Sequence, residues 1–425
     1  MSIRAGFKEL NPNVKLAFVF EALQSFGRGI WMGNILSLYI ILFSENANGI
    51  FGLTSNELLG ITAGISGISM TLFVFPAGYL ADKFPRDRML KLAALIGIIA
   101  MGFLAVAGNI ILIMIALFLW GIFQGVTRPA FESILADSLP SGYRSGIYSQ
   151  IHLVRQFAMA SGPFLNVLLF LFFGDFWEIS ILKTVMLVGI IISLFSTLIL
   201  FLFRDDRSMG DDSESIYENQ KNNGTDLQIN DKLNRNKRKI PILLVTSNII
   251  IGIGAGMTIK FFPVFFRSIY SLQPIAVQLI MGFTAIFTGL TAIIAQKFSL
   301  TRGRAEMIFT VQIIATSCLV LISFYPALYL LVPLFILRGS FMNAAQPLSR
   351  SILMDVVPKR HRGKWNSLET IAWGLFWNAS AVIGGFLIGN NNFRLCFVIT
   401  SAIYFVGTIP ILLLIPLVHK EKNAR

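Results

Sequence analysis

Apolar residues run along this chain in long unbroken blocks, separated by short polar stretches. Twelve blocks can be drawn, at about 13–43, 56–80, 89–107, 109–131, 146–173, 178–203, 240–266, 274–296, 305–325, 327–349, 365–389 and 394–418. A helix that crosses a bilayer needs about 20 mostly apolar residues. The blocks do not alternate apolar with polar, so half-buried strands are not indicated. Backbone in lipid must also satisfy its own hydrogen bonds, which a helix does within one segment. The pattern predicts an all-α integral membrane protein with twelve transmembrane helices, spans 1 to 12.

One polar stretch is much longer than the rest. Residues 204–239 carry 8 acidic and 8 basic side chains and end in the run Arg235-Asn236-Lys237-Arg238-Lys239. This predicts an N-terminal six-helix bundle over 1–203, a flexible cytoplasmic linker over 204–239 and a C-terminal six-helix bundle over 240–425. Residues 1–12 are polar and mixed in charge, and no small-residue cleavage pattern follows the first block. That block therefore reads as a retained helix, not a signal peptide.

Composition excludes several classes. Residues of the AVILMFWYC set make up 55% of the 425 and charged residues 13%, with a mean hydropathy of +0.71. Soluble chains carry about 25% charged residues, so a soluble enzyme, a disordered scaffold and a secreted disulfide domain are all out. The net charge of +13 reflects topology, not nucleic-acid binding. With the N-terminus inside, 27 Lys and Arg fall in cytoplasmic segments, against Lys183, Arg267 and Arg394 outside. Such asymmetry predicts cytoplasmic N- and C-termini in a cell membrane. Cys318 and Cys396 lie in apolar stretches, which disfavours a disulfide, and His152, His361 and His419 are too scattered to ligate a metal. There is no ATP-binding loop pattern and no nucleophile–base cluster, so neither a cofactor nor an enzyme activity is expected.

The halves repeat. Sliding 117–149 over 335–367, a shift of 218 residues, gives 11 identities in 33 positions. These include Gly121/Gly339, Pro129/Pro347, Ser133/Ser351, Asp137/Asp355, Pro140/Pro358 and Arg144/Arg362. Spans 1 and 7 align Gly27-Arg28-Gly29 with Gly254-Ala255-Gly256 at a shift of 227. A duplicated six-helix unit of parallel topology puts a solute site between pseudo-repeats, near mid-membrane.

The loop after span 2 reads GYLADKFPRDR, Gly78 to Arg88. It resembles the signature loop of the major facilitator superfamily, with Pro85 where that family usually has Gly. The resemblance implies alternating-access transport of a small-molecule substrate by a monomeric two-bundle protein. It also implies a conformational latch at Gly78, Asp82, Arg86 and Arg88, with Asp137, Arg144, Asp355 and Arg362 at the repeated loops. Gly162-Pro163 in span 5 matches part of a pattern common in the family's drug/proton antiporters, although Ala158 and Asn166 replace its flanking glycines. Gln124-Gly125 in span 4 is present, but Gly121 stands where proton-coupled members often carry an Arg.

Ionisable groups at membrane depth are costly and so mark candidate sites. Glu21 and Arg28 share a face of span 1, about 10 Å apart along the axis by helical rise. Glu21 reads either as a proton carrier or as the partner of Arg155 in span 5. Arg28 and Arg338 read either as a bidentate site for an anionic substrate or as structural partners, Arg28 then pairing with an acid to hold helices together. Lys260 reads as a snorkelling residue. Trp120, Gln124, Asn343, Gln346, Trp373 and Asn378 are further candidates for shaping a cavity. The expectation is proton-coupled efflux of a small organic solute, with uptake or exchange of an anionic metabolite as the alternative.

Overall fold

The computed structural model describes residues 10–46, 51–139, 144–209, 231–356 and 359–422. Among them the long elements are all helices. They are α1 (Pro12–Trp31), α2 (Asn34–Asn46), α3 (Ser55–Lys83), α4 (Arg86–Val106), α5 (Ile110–Asp137), α6 (Arg144–Phe173) and α7 (Ile179–Ile199), then α8 (Asp231–Thr258), α9 (Phe262–Tyr270), α10 (Pro274–Arg302), α11 (Arg304–Ser323), α12 (Leu328–Val356), α13 (Lys359–Ile388) and α14 (Phe393–Lys422). Eleven of the described helices are long and apolar enough to cross a membrane, and Gly374–Ile388 is a shorter apolar helix. The all-helical membrane architecture expected from the blocks holds.

Two of the expected spans are broken. α1 and α2 together make the first, Pro12–Asn46, interrupted at Met32-Gly33. α8, the 3-10 turn Ile259–Phe261 and α9 make the seventh, Lys239–Tyr270. Local chemistry sets the helix starts. Asn11 accepts a hydrogen bond from the Asn13 backbone N–H at 2.8 Å, and Pro12 follows at the first helical position. Asn109 caps α5 in the same way, accepting from the Leu112 N–H at 2.8 Å.

The chain divides into two compact units, Met1–Phe43 with Ile65–Leu227, and Ser44–Gly64 with Gln228–Arg425. In the first, α1 packs on α6 and α7, and α4 packs on α5 and α7. In the second, α8 packs on α13 and α14, α11 on α12 and α14, and α10 on α12. Residues 44–64 are anchored in the second unit. Glu45 accepts two hydrogen bonds from Arg267, at 3.0 and 2.8 Å, and Asn56 donates to the Gly389 carbonyl at 2.9 Å.

Glycines set the closest crossings. A Cβ on Gly29 would lie 2.5 Å from the Met159 carbonyl oxygen, and Gly162 abuts Gly29 itself. In the second unit Gly256 abuts Trp377 and Ser380. The shifts seen in the sequence, 227 for Gly29 and 218 for Met159 and Gly162, carry the first crossing onto the second. Where lipid removes the hydrophobic drive between helices, such small-residue crossings gain packing and dispersion instead. Many large apolar side chains are exposed, Phe172 at 82% and Leu171 at 66% for example, as suits faces turned to acyl chains.

The ends of the expected linker are ordered. Residues Asp205–Arg207 form a 3-10 turn tied to the start of α1, and 231–239 belong to α8. Residues 210–230 of the linker lie outside the described residues.

Candidate functional site

The first unit holds a polar centre at membrane depth. α1 brings Glu21, Gln24 and Arg28 to one region, and α6 supplies Arg155. The Glu21 carboxylate accepts from Arg155 through both oxygens, Nε to Oε2 at 3.0 Å and Nη2 to Oε1 at 2.6 Å. Glu21 is 8% exposed. Of the two readings open for Glu21, pairing with Arg155 is realised in this structure. Paired fork-to-fork geometry of this kind is both strong and orienting.

Arg28 sits near the middle of the first span and feels Glu21, Arg155 and Arg128 electrostatically. Its Nε is buried and has no hydrogen-bond partner among the described residues. Glu132 acts in turn on Arg155. The five groups comprise three guanidiniums and two carboxylates, an excess of one positive charge. Gln24, one turn before Arg28, accepts from Ser196 of α7, and Trp31, just after it, donates from Nε1 to Ser193 Oγ at 3.0 Å. Asn166 of α6 donates to the Ile30 carbonyl at 3.1 Å. α1 is thereby fixed on both neighbours on either side of Arg28.

Trp120 is 1% exposed and packs edge-on against Trp31 at 5.1 Å and tilted on Phe123 at 4.8 Å. It belongs to an aromatic cluster inside the unit. Gln124, one turn on, is half-buried. Gly162-Pro163 is buried and forms the α1–α6 crossing at Gly29.

In the second unit Arg338 is 4% exposed. It donates from Nη2 to the Tyr404 hydroxyl at 3.0 Å, and its Cζ lies 4.8 Å over the Phe262 ring. Among the described residues, aromatic faces and a phenol, not an acid, serve this guanidinium. Asn343 and Gln346 on α12 are exposed, and Asn343 donates to the Gly339 carbonyl of its own helix at 2.9 Å. Asn378 accepts from Lys260 Nζ at 3.1 Å, so Lys260 is held by a side chain instead of merely snorkelling.

A second polar cluster closes one end of the first unit. Arg86 pairs with Asp137, and its backbone N–H donates to Asp205 Oδ2 at 3.2 Å. Arg88 is exposed. Asp137 also accepts, through its carbonyl, from the Met209 N–H at 2.8 Å. The side chains of Asp82, Arg144, Asp355, Arg362 and Trp373 lie outside the described residues. Gly78 has open space where a Cβ would stand.

Several partners escaped sequence reasoning: Ser193 and Ser196, Asn166, Asp205 and Tyr404. Each lies far along the chain from the residue it serves. Buried polar residues inside apolar spans were the one available signal.

The sequence pattern of the Major Facilitator Superfamily matches residues 18–239 and 244–425. The chain belongs to the major facilitator superfamily. It is 27% identical over 192 residues to a Na(+), Li(+), K(+)/H(+) antiporter of Planococcus maritimus. That match spans 44% of this chain and 42% of the antiporter's length. Among solved structures, a bacterial homolog of the human lysosomal transporter Spinster is similar with a TM-score of 0.71 and 15% identity, over 96% of this chain and 97% of that one. A D-xylose-proton symporter is similar with a TM-score of 0.69 and 13% identity, over 94% and 96% respectively. Membership makes the chain a secondary transporter rather than an enzyme, with the twelve-span, two-repeat fold read from the sequence.

Proposed function

We propose that this transporter is a proton-coupled antiporter that exports a small solute, with Glu21 as the group that carries the proton. The observation that carries this reading is the paired contact of Glu21 and Arg155 within membrane-spanning helices. A carboxylate at that depth is tolerated because a guanidinium neutralises it. Protonation of Glu21 would release Arg155, so one proton would change the charge and hydrogen bonding of the site together. The similarity to a cation/proton antiporter and the Gly162-Pro163 crossing support exchange and the outward direction. Both termini would face the cytoplasm, on the charge asymmetry of the loops.

A second reading is favoured by one feature, the buried Arg28 Nε with no hydrogen-bond partner among the described residues. A carboxylate or phosphate substrate would supply that acceptor, making the protein an importer or exchanger of an anionic metabolite.

The test uses purified protein in proteoliposomes with an imposed pH gradient. Proton movement is followed on adding Na+, Li+, K+, lipophilic organic cations or carboxylates, each in turn. Exchange by a cation, abolished in Glu21→Gln while ligand-induced thermal stabilisation persists, is the expected result. Coupled proton movement that survives Glu21→Gln overturns the assignment of Glu21. A response to carboxylates alone, lost in Arg28→Ala, replaces the first reading with the second.

A further inference from the structure

A cavity of about 360 Å³ opens where α1 begins and the chain leaves α7. Its polar wall is Lys15, Arg204 and Arg207, and its apolar wall includes Leu16, Phe201 and Leu202. The volume falls within the range of small-molecule sites, roughly 300–1,000 Å³. Among the described residues its lining contains no acid. Asp205, between the two arginines, is held at Arg86 instead, and Asp206 is exposed beside them.

The three cations are gathered by backbone contacts. Asn13, fully buried, donates from Nδ2 to the Arg204 carbonyl at 2.8 Å and accepts from the Arg204 N–H at 3.3 Å. Asn11 donates from Nδ2 to the Arg207 carbonyl at 2.7 Å. These amide contacts fix the backbone of the turn Asp205–Arg207 against α1 and leave the guanidiniums at the cavity. Like charges held together in this way create a local positive potential that favours an anion.

The apolar wall continues into the membrane. Leu202 is 57% exposed, and one turn deeper on each helix lie Leu198, 43% exposed, and Val19, 46% exposed. The cavity lies at the ends of the spans Pro12–Asn46 and Ile179–Leu202, the level at which a headgroup layer would meet the protein. A charged mouth above an exposed apolar strip matches an amphiphile with a phosphate head. We infer that this cavity is a binding site for an anionic phospholipid, with its phosphate held by Lys15, Arg204 and Arg207 and its chains lying along Leu198, Leu202 and Val19. An inorganic phosphate shares the head chemistry but gains nothing from the strip.

The test measures apparent melting temperature of the detergent-purified full chain against phosphatidylglycerol, phosphatidylcholine and inorganic phosphate, each titrated separately. A ligand that binds the folded state raises stability by mass action. Phosphatidylglycerol should stabilise the protein at concentrations where phosphatidylcholine and phosphate do not. The triple variant Lys15→Gln, Arg204→Gln, Arg207→Gln should need about a hundredfold more of it, at the usual strength of basic residues near anionic lipid. The control pair Lys297→Gln, Arg302→Gln, exposed on α10 in the other unit, should respond like the unaltered chain. If the triple variant does not fold, Lys15→Gln and Arg207→Gln singly should each weaken the response about fivefold. Equal stabilisation by phosphate alone would make this a free-anion site and overturn the lipid assignment. An undiminished response in the triple variant, or an equal loss in the control pair, would remove the site.

Discussion

Arg155 and Glu21 hold each other through two hydrogen bonds, so neither can be changed alone without stripping the other. Removing one member of a buried pair costs about 3–5 kcal/mol, whereas replacing both by neutral groups is often close to neutral. Here the cost is discounted, because about a third of the Arg155 side chain is exposed (35%, against 10% for Glu21). Arg155→Ala and Glu21→Gln should each lower the apparent melting temperature, and the double variant should lose less than the two losses added. Differential scanning fluorimetry on all four proteins checks this as a double-mutant cycle. Strict additivity would mean that the two side chains do not stabilise each other in the folded protein. Arg338 should behave differently, since its partners are the Tyr404 hydroxyl and the Phe262 face. No carboxylate among the described residues would be left uncompensated by its loss.

At the scale of helices, α1 is the element around which the first unit is organised. It meets α6 and α7 with Gly27 facing Ser193 and Gly29 facing Met159 and Gly162. A methyl group on Gly29 would meet backbone atoms, which cannot rotate away, so the helices would have to part. Overpacking of that kind costs about 1–3 kcal/mol. Gly29→Ala should therefore destabilise the protein and displace Arg28 next to it, lowering transport as well. Gly102→Ala on α4, where nothing lies within 4 Å of the new methyl, should leave stability unchanged or slightly raised. Thermal unfolding of both variants separates the crossing from a general glycine effect. If both lose stability alike, close approach is not what Gly29 provides. Much of this was legible beforehand. The Gly-x-Gly pairs of spans 1 and 7 and the Gly162-Pro163 pair stood out in the sequence, because small residues are conspicuous inside long apolar blocks. Their partners were not legible. Nothing local to Arg155 says that its guanidinium meets a residue 134 positions earlier.

The same limit governs the molecule as a whole. Hydropathy and the 218-residue repeat were enough for the spans, because membrane thickness and duplication leave a periodic trace. Lateral packing leaves none, so nothing in the sequence separates Asp205 from the linker that follows it. In the structure it belongs to a strap. Arg86 at the start of α4, Asp137 at the end of α5 and Asp205 after α7 form one cluster, and the Met209 N–H closes it on the Asp137 carbonyl. Three helix ends are thereby joined at one end of the unit, on elements that do not supply Glu21 or Arg28. A cluster so placed should govern how fast the transporter changes conformation, not how tightly it holds its cargo. Asp137→Asn removes the charge but keeps the shape and the backbone acceptor. It should slow transport in proteoliposomes by about an order of magnitude, taking 1.4 kcal/mol as a tenfold change and the pair as partly exposed. Ligand-induced thermal stabilisation should persist at unchanged concentration. Asp82→Asn, in the signature loop, should follow the same pattern. A parallel loss of rate and of ligand affinity in Asp137→Asn would place the cluster within the binding machinery and end its reading as a latch.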